Sequence, residues 1–497
     1  MKKVSKNKIK ININYLYLLY FIPFIIFIYR YIVLGVDIWY MLSEGKYILN
    51  NGFPHIDPFT IHEGFKIVIQ QWLSDIIFYI IYKFTGDVGL IVFSCIMFMV
   101  LEFLLYKLCK LVSDNNKLIS LLVSSIISIL LEYNFFIDIR PHLFTYLFLI
   151  IWVYILEKYN KTNNKKLLFI LPIISILQIN MHAAMWWFIF VFSLPFIVEY
   201  LYLIFIKKKY KELRKFYTLV LFIIVSLFCG LINPYGIDSI NYLFNGTNDY
   251  INKFIVEMVS PKILSVQGLL LIIILFINYI ISLKYYSKTK ELKISYLFLL
   301  FGSLILAFHS MKSYLFFLIF GVYYWAYYFR KEKSKYFVEE KSLKVNIIVI
   351  VIPILYLLIS YATGHVTYAY SAGLLNSSNY YDYLIEYKKD KDIKVYNTYE
   401  IGSYMEFLNL KPYIDTRAEF FLKSQNKKKN VFIEYYDLQN NILDLQVFLD
   451  TYNFTHLLVY EKDYLFGLDD IEGYTLIMYE NDYMKLYIRN DLLENNE

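Results

Sequence analysis

The sequence predicts an α-helical polytopic membrane protein of about 11 transmembrane helices, with a small extracytoplasmic α/β domain at its carboxy end. Three observations predict it. Of the 497 residues, 58% are hydrophobic and only 18% charged, too apolar a balance for a soluble chain of this length. Several apolar runs approach the roughly 20 residues needed to cross a bilayer. Basic residues concentrate in alternate connectors, and after about residue 362 the chain turns charged with no further run.

Taken in order, Met1–Lys10 holds five lysines and precedes an apolar run at Asn14–Leu34. No small-residue cleavage site follows, so the run reads as an uncleaved anchor. The positive-inside rule then places the amino terminus in the cytoplasm. Further spans are expected near 88–106, 118–134, 142–157, 167–179, 184–205, 216–232, 263–283, 293–308, 312–329 and 344–361. The connectors at 107–117, 158–166, 207–215, 284–293 and 330–344 carry 3, 4, 6, 4 and 6 Lys or Arg, so with the amino-terminal five, 28 of the 49 basic residues fall on one side. This count requires that Gln71–Phe84, a short apolar segment carrying Asp75 and Lys83, is not a crossing. It reads as a helix lying on or dipping into the outer surface; as a short true span it would need another crossing elsewhere.

The expected organisation is a membrane domain at 1–361 with a first outer loop at 35–87, a linker at 362–378 and an α/β domain at 379–497. That makes a multi-pass plasma-membrane protein with its last domain outside. In that domain Lys394–Asn397, His456–Tyr460, Tyr474–Tyr479 and Met484–Arg489 read as strands, and Glu400–Leu408 and Asp437–Tyr452 as amphipathic helices. The three cysteines, Cys95, Cys109 and Cys229, show neither metal spacing nor a disulfide framework. There is no Gly-rich phosphate loop, HExxH or GxSxG, and nothing predicts a nucleic-acid partner.

The same orientation collects the unusual polar residues on the outer face: Asp37, Glu44, Asp57, Arg140 with His142, Asn180 with His182, Asn233-Pro-Tyr-Gly236, Glu257, and His309 with Lys312. Idle charge beside hydrocarbon is expensive, so such residues read as a site. Outside the cytoplasm no nucleotide-activated substrate is at hand, and group transfer needs donors carried by the membrane. A lipid-phosphate sugar fits. Its acceptor hydroxyl needs a carboxylate base within hydrogen-bond reach, for which Asp37 and Asp57 are candidates. Its departing phosphate needs positive charge, for which Arg140, His142, His182 and Lys312 are candidates, with Glu257 as a further substrate-binding residue. No cofactor is required by the sequence; a divalent cation is compatible with it.

From Asp37 to Thr60 the chain reads D-x-W-Y-x-L-x-x-G-x-x-I and then G-x-P-x-x-D-P-F-T, followed by Trp72-Leu73. This resembles the first outer loop of a bacterial membrane-protein family assigned to the GT-C glycosyltransferase superfamily, near the polyprenyl-phosphate-mannose-dependent enzymes. Further similarities follow in order at Arg140-Pro-His142, Asn180-Met-His182, Asn233-Pro-Tyr-Gly236, Ser310–Ser313, Tyr396–Tyr404 and Ile414-Asp-Thr-Arg417. The resemblance implies a GT-C fold, a lipid-linked sugar donor and a first-loop carboxylate as base, carried here by Asp37. Asp57 stays in reserve and Glu44 ranks as a background polar residue. Tyr40-Met41 stands where the family often has an aromatic residue and His, and Lys312 where an Arg is usual, which removes a two-pronged phosphate contact.

Each candidate has a plainer reading. Asp37 is also placed to cap the helix starting at Ile38, Asp57-Pro58 to form a turn, and Arg140 to reach lipid headgroups. The two histidines suit structural hydrogen bonds, Asn233–Gly236 a helix-ending turn, and Asp415 with Arg417 a pair within the outer domain. Two other functions share the polar outer face: a transporter or flippase of a lipid-linked saccharide, and a non-catalytic scaffold for envelope assembly. A transferase implies a polyprenyl-phosphate-linked donor, membrane lipid, and a glycan, lipid or protein acceptor as partners.

Overall fold

Long apolar runs bury their own backbone polar groups by forming helices, and the computed structural model describes such helices over most of the chain. It describes residues 11–12, 34–133, 139–245, 251, 254–255, 258–331, 337–338, 378–481 and 483–493. The spans expected at Asn14–Leu34, apart from Leu34 itself, and at 344–361, almost all of the linker, and Glu257 lie outside the described residues.

The helices are α1 (Ile38–Asn51), α2 (Trp72–Val112), α3 (Lys117–Tyr133), α4 (His142–Thr162) and α5 (Ile170–Met181). After α6 (Ala183–Ile206) come α7 (Leu213–Cys229), α8 (Ile237–Asn245), α9 (Val266–Thr289), α10 (Ile294–His309) and α11 (Met311–Phe320). Among the described residues four of them, α2, α4, α6 and α9, are long and apolar enough to cross a membrane. Other expected spans are shorter or interrupted. The run at 312–329 stops at Phe320, turns through Gly321–Tyr324 and resumes as one helical turn, Trp325–Tyr328. Leu269, Ile272, Phe276, Tyr279 and Leu283 of α9 are all exposed along one stripe, where a water-facing helix would carry charge. That stripe suits hydrocarbon.

Gly86 divides α2. Its φ of 61° and ψ of −156° leave helical geometry, a conformation open to glycine. The segment read as a surface helix, Gln71–Phe84, is therefore a distinct helix before the bend. It is amphipathic in packing: Ser74, Asp75 and Phe78 are fully buried. It meets α1 backbone to backbone at Gly45, where a side-chain carbon would overlap the Asp75 carbonyl.

The carboxy-terminal portion contributes α12 (Ser378–Asp390), α13 (Tyr399–Phe407), α14 (Val431–Gln439) and α15 (Leu445–Tyr452) around a four-stranded sheet. The strands are β1 (Val395–Asn397), β2 (His456–Tyr460), β3 (Tyr474–Asn481) and β4 (Met484–Arg489), in the order β1-β2-β4-β3. β1 and β2 run parallel and the other pairs antiparallel. All five residues of β2 are buried, as a central strand covered on both faces requires. These strands start within a residue of where the sequence predicts them. The helix expected over Asp437–Tyr452 is two, because the chain reverses at Asn440–Asn441, with Asn441 left-handed at φ 55°, and Asp444 caps the new helix through the Val447 N–H at 2.9 Å.

This portion sits directly on α1. Trp39 is 3% exposed between Tyr404 and Phe407 of α13, with ring centroids 4.8 and 4.9 Å away. α13 in turn presses on the Ile414 carbonyl through Gly402, whose missing side chain permits the contact. Gly402→Val is expected to cost about 1–3 kcal/mol through overpacking. The check is the thermal midpoint of the detergent-purified protein; a midpoint equal to wild type would refute the close approach.

Candidate functional site

Three chain turns converge at the end of the bundle that carries the sheet. Gly35–Asp37 leads into α1, Ile139–Pro141 leads into α4, and His182 ends α5. The tail of the first loop fastens onto the last of these. Ala183 N–H donates to the Gln70 carbonyl at 2.9 Å, Ser74 Oγ to the Met181 carbonyl at 2.7 Å, and Trp72 Nε1 to Asn180 Oδ1 at 2.8 Å. Asn180 is thus a strap, and so is Asn233, whose side chain bonds the Gly230 and Gly236 carbonyls and the Tyr235 N–H.

Asp37 makes no side-chain cap on α1; its backbone is already helical, at φ −65° and ψ −26°. Its Oδ2 instead lies 3.1 Å from Nη2 of Arg140, with the two side chains 20% and 25% exposed. The pair stands where two cavities meet. The first, about 380 Å³, lies under the carboxy-terminal portion and is lined by Asp37, Tyr40, Glu44, Arg140, His182 and Lys312 on one side and by Tyr399, Glu400 and Arg417 on the other. The second, about 310 Å³, shares Asp37, Tyr40, Arg140, His182 and Lys312. It continues between His142, Met185, Met311, Leu315 and Phe316 into the bundle. One chamber is rich in ionisable groups, the other is mostly apolar, and the Asp37–Arg140 pair faces both.

The structure therefore brings together Asp37, Arg140, His182 and Lys312, and places His142 in the apolar chamber alone. His182 Nδ1 pairs with Thr145 Oγ1 at 2.8 Å, and Gln178 Nε2 donates to the same hydroxyl at 2.9 Å, which fixes the ring. Lys312 opens α11 just after Ser310, whose Oγ accepts from the Ser313 N–H at 3.2 Å. Asp57 is placed elsewhere. Its Oδ2 accepts from the Thr60 N–H at 3.0 Å and the Thr60 hydroxyl at 2.6 Å, making the plain turn, and it lines neither chamber. Glu257, as noted, is outside the described residues.

Glu44 and Arg417 carry more than the sequence suggested. Asp37, Tyr40 and Glu44 stand at i, i+3 and i+7 of one helical face, a spacing legible in the sequence. Arg417 does not pair only within its own portion. Its Nη1 reaches Glu44 Oε1 at 2.8 Å, its Nε and Nη2 bind Asp415 at 3.0 and 2.6 Å, and Nη2 also binds Glu406. One buried guanidinium holds three buried carboxylates from α1 and the sheet side. Burial pushes Glu44 up to about 6, against the opposing pull of Arg417. Burial also raises Glu406, with Arg417 opposing and Asp415 adding to the rise. Burial raises Asp415 too, but the charge and hydrogen bonds of Arg417 outweigh it and hold this carboxyl below its usual range.

The donor set at Asp37 does not suit a divalent cation. Its partner is a guanidinium, and among the described residues no three His, Cys, Asp or Glu side chains converge as ligands.

Because the folded-state value of Glu44 lies above its unfolded one, its protonated form stabilises the fold fully below about pH 4.5, and that contribution is lost as pH rises through about 6. Glu44→Gln keeps an acceptor for Arg417 but does not ionise. Its thermal midpoint is expected to gain on wild type steadily between pH 4.5 and 6.5; a constant difference across that window would contradict the assignment.

No family model matches the chain, and no curated protein matches its sequence. Solved structures do resemble it. One is the crystal structure of the Archaeoglobus fulgidus oligosaccharyltransferase in the apo form, at a TM-score of 0.54 and 12% identity, covering 92% of this chain and 70% of that one. Another is the oligosaccharyltransferase AglB of the same organism in complex with an inhibitory peptide and a dolichol-phosphate, at a TM-score of 0.49 and 11% identity, covering 90% and 69%. The likeness is one of fold.

Proposed function

We propose that the protein is an integral membrane glycosyltransferase that moves a sugar from a polyprenyl-phosphate-linked donor to an acceptor on the extracytoplasmic face, with Asp37 as general base. The observation that carries this reading is the shared wall of the two chambers: an acid–guanidinium pair with Lys312 and His182, set between an apolar chamber and a polar one. A lipid-phosphate sugar has the same sequence of properties, tail, phosphate and sugar. The fold likeness to a protein named oligosaccharyltransferase points the same way.

In this reading the tail enters beside Met185, Leu315 and Phe316, and the phosphate meets Arg140 and Lys312. The acceptor hydroxyl approaches from the polar chamber and gives its proton to Asp37 while its oxygen bonds to the anomeric carbon. The bond from that carbon to the phosphate oxygen breaks, and the electron pair leaves on the lipid phosphate, where the two cations neutralise it. The orientation follows the lysine count. The short parallel pairing of Ile11–Asn12 with Phe337–Val338 joins two of the lysine-rich segments and supports their common cytoplasmic side.

The test is transfer by the purified protein in lipid nanodiscs from polyprenyl-phosphate mannose, glucose or galactose. Asp37→Asn is expected to lower kcat by about 10²–10⁴-fold at an unchanged thermal midpoint, whereas a wild-type rate in that variant removes Asp37 as the base. Lys312→Ala is expected to raise the donor KM by about tenfold, the loss of about 1.4 kcal/mol; an unchanged KM would take Lys312 out of the phosphate site. Single cysteines placed at Asn440 and Lys290 check orientation: an impermeant thiol reagent should label the first in intact cells and the second only after permeabilisation.

A further inference from the structure

The geometry points to a saccharide-binding groove on the carboxy-terminal portion that continues the polar chamber and holds the far end of a glycan acceptor; naming that ligand an acceptor rests on the transferase reading. The groove encloses about 420 Å³, within the roughly 300–1,000 Å³ of small-ligand sites. It shares Phe254 and Glu400 with the polar chamber, so the two form one path leading away from Asp37. Beyond those residues it runs along Tyr435, Tyr436, Tyr464 and Lys462.

Its wall is fixed in advance. Asp463 Oδ2 accepts from the Tyr396 hydroxyl at 2.9 Å and the Thr398 hydroxyl at 3.0 Å, and its Oδ1 from the Leu465 N–H at 3.0 Å. Gln439 is likewise occupied, donating to Tyr396 at 3.1 Å and accepting from the Tyr464 N–H at 2.8 Å. These polar groups hold the wall and leave ring faces and a charged rim to a ligand. Phe254 meets Tyr435 and Tyr436 nearly edge-on, with centroids 6.1 and 6.4 Å apart, which makes an aromatic corner. At the rim Glu400 and Lys462 stand 3.9 Å apart, with Lys462 64% exposed.

A sugar ring answers both halves of that lining. Its C–H face packs on an aromatic ring, and its hydroxyls both donate and accept, so a carboxylate and an ammonium serve it together. A lipid tail would need an unbroken apolar wall, and a nucleic-acid backbone several uncompensated cations; the groove has one lysine beside one glutamate. A peptide is the remaining competitor.

The experiment measures binding, without turnover, to the full-length protein in nanodiscs, using gluco-, manno- and galacto-oligosaccharides of one and four residues and a series of tetrapeptides. At least one tetrasaccharide is expected to bind ten times or more tighter than its monosaccharide. Tyr464→Ala should erase that gain, Tyr464→Phe should keep it, and Asp37→Asn should keep it. In the transfer assay Tyr464→Ala should raise the acceptor KM at unchanged kcat. The inference is overturned if no tetrasaccharide shows the gain, if the gain survives in Tyr464→Ala, or if a tetrapeptide takes the Tyr464-dependent place. A failed transfer assay beside a Tyr464-dependent saccharide gain would sink the transferase reading and leave the groove standing.

Discussion

The arrangement depends on one guanidinium. Arg417 satisfies carboxylates on two separate parts of the chain, Glu44 on α1 and Asp415 with Glu406 near the sheet, and all four groups are buried. Three acids around one base cannot all stay ionised away from water, so the cluster retains protons, which is why Glu44 and Glu406 titrate high while Asp415 titrates low. A buried ion cluster of this kind is weak evidence for net stability, since its desolvation offsets much of its attraction. Its consequence is orientation. Removing Arg417 would strand buried carboxyls, and its Nη1 meets Glu44 at 2.8 Å, so α1 is held at one rotation about its axis. That rotation turns Asp37, Tyr40 and Glu44 together into the polar chamber.

Aromatic packing and the first loop's tail make the rotation rigid. Trp39, on the opposite face of α1, is wedged between two rings of α13. Gly45 lets α1 touch the Asp75 backbone, and Gln71 Nε2 donates to the Tyr40 hydroxyl at 2.9 Å. The long first loop is therefore a fitted element between bundle and sheet, and its position depends on both.

Much of this was legible in the sequence, and the parts that were not have physical causes. Strands showed because β-branched and aromatic runs alternate with turns, and Asp37 with Arg140 and His182 stood out because charge beside apolar runs is costly. Asp57 read both as a turn and as a reserve base, because an acid in either place has the same local sequence; the structure shows the Thr60 hydrogen bonds of a turn. The break at Gly321 was missed because a glycine inside an apolar run is tolerated in many helices. Arg417 was underrated because its partner Glu44 lies 373 positions away, and no local pattern carries such a pairing. The division of the site into an apolar and a polar chamber is likewise a property of packing alone.

The Asp37–Arg140 contact gives the proposed chemistry an order. A carboxylate in contact with a guanidinium at 3.1 Å has an acceptor oxygen already occupied, so an incoming hydroxyl must compete with Arg140 for it. A phosphate competes for that guanidinium with more charge and more acceptor oxygens, and Arg suits its geometry. In the proposed function, donor binding in the apolar chamber draws Arg140 toward the phosphate and leaves Asp37 to take the acceptor proton. Lys312 lines both chambers, and in the proposed function it supplies the second charge that lets one guanidinium leave the carboxylate.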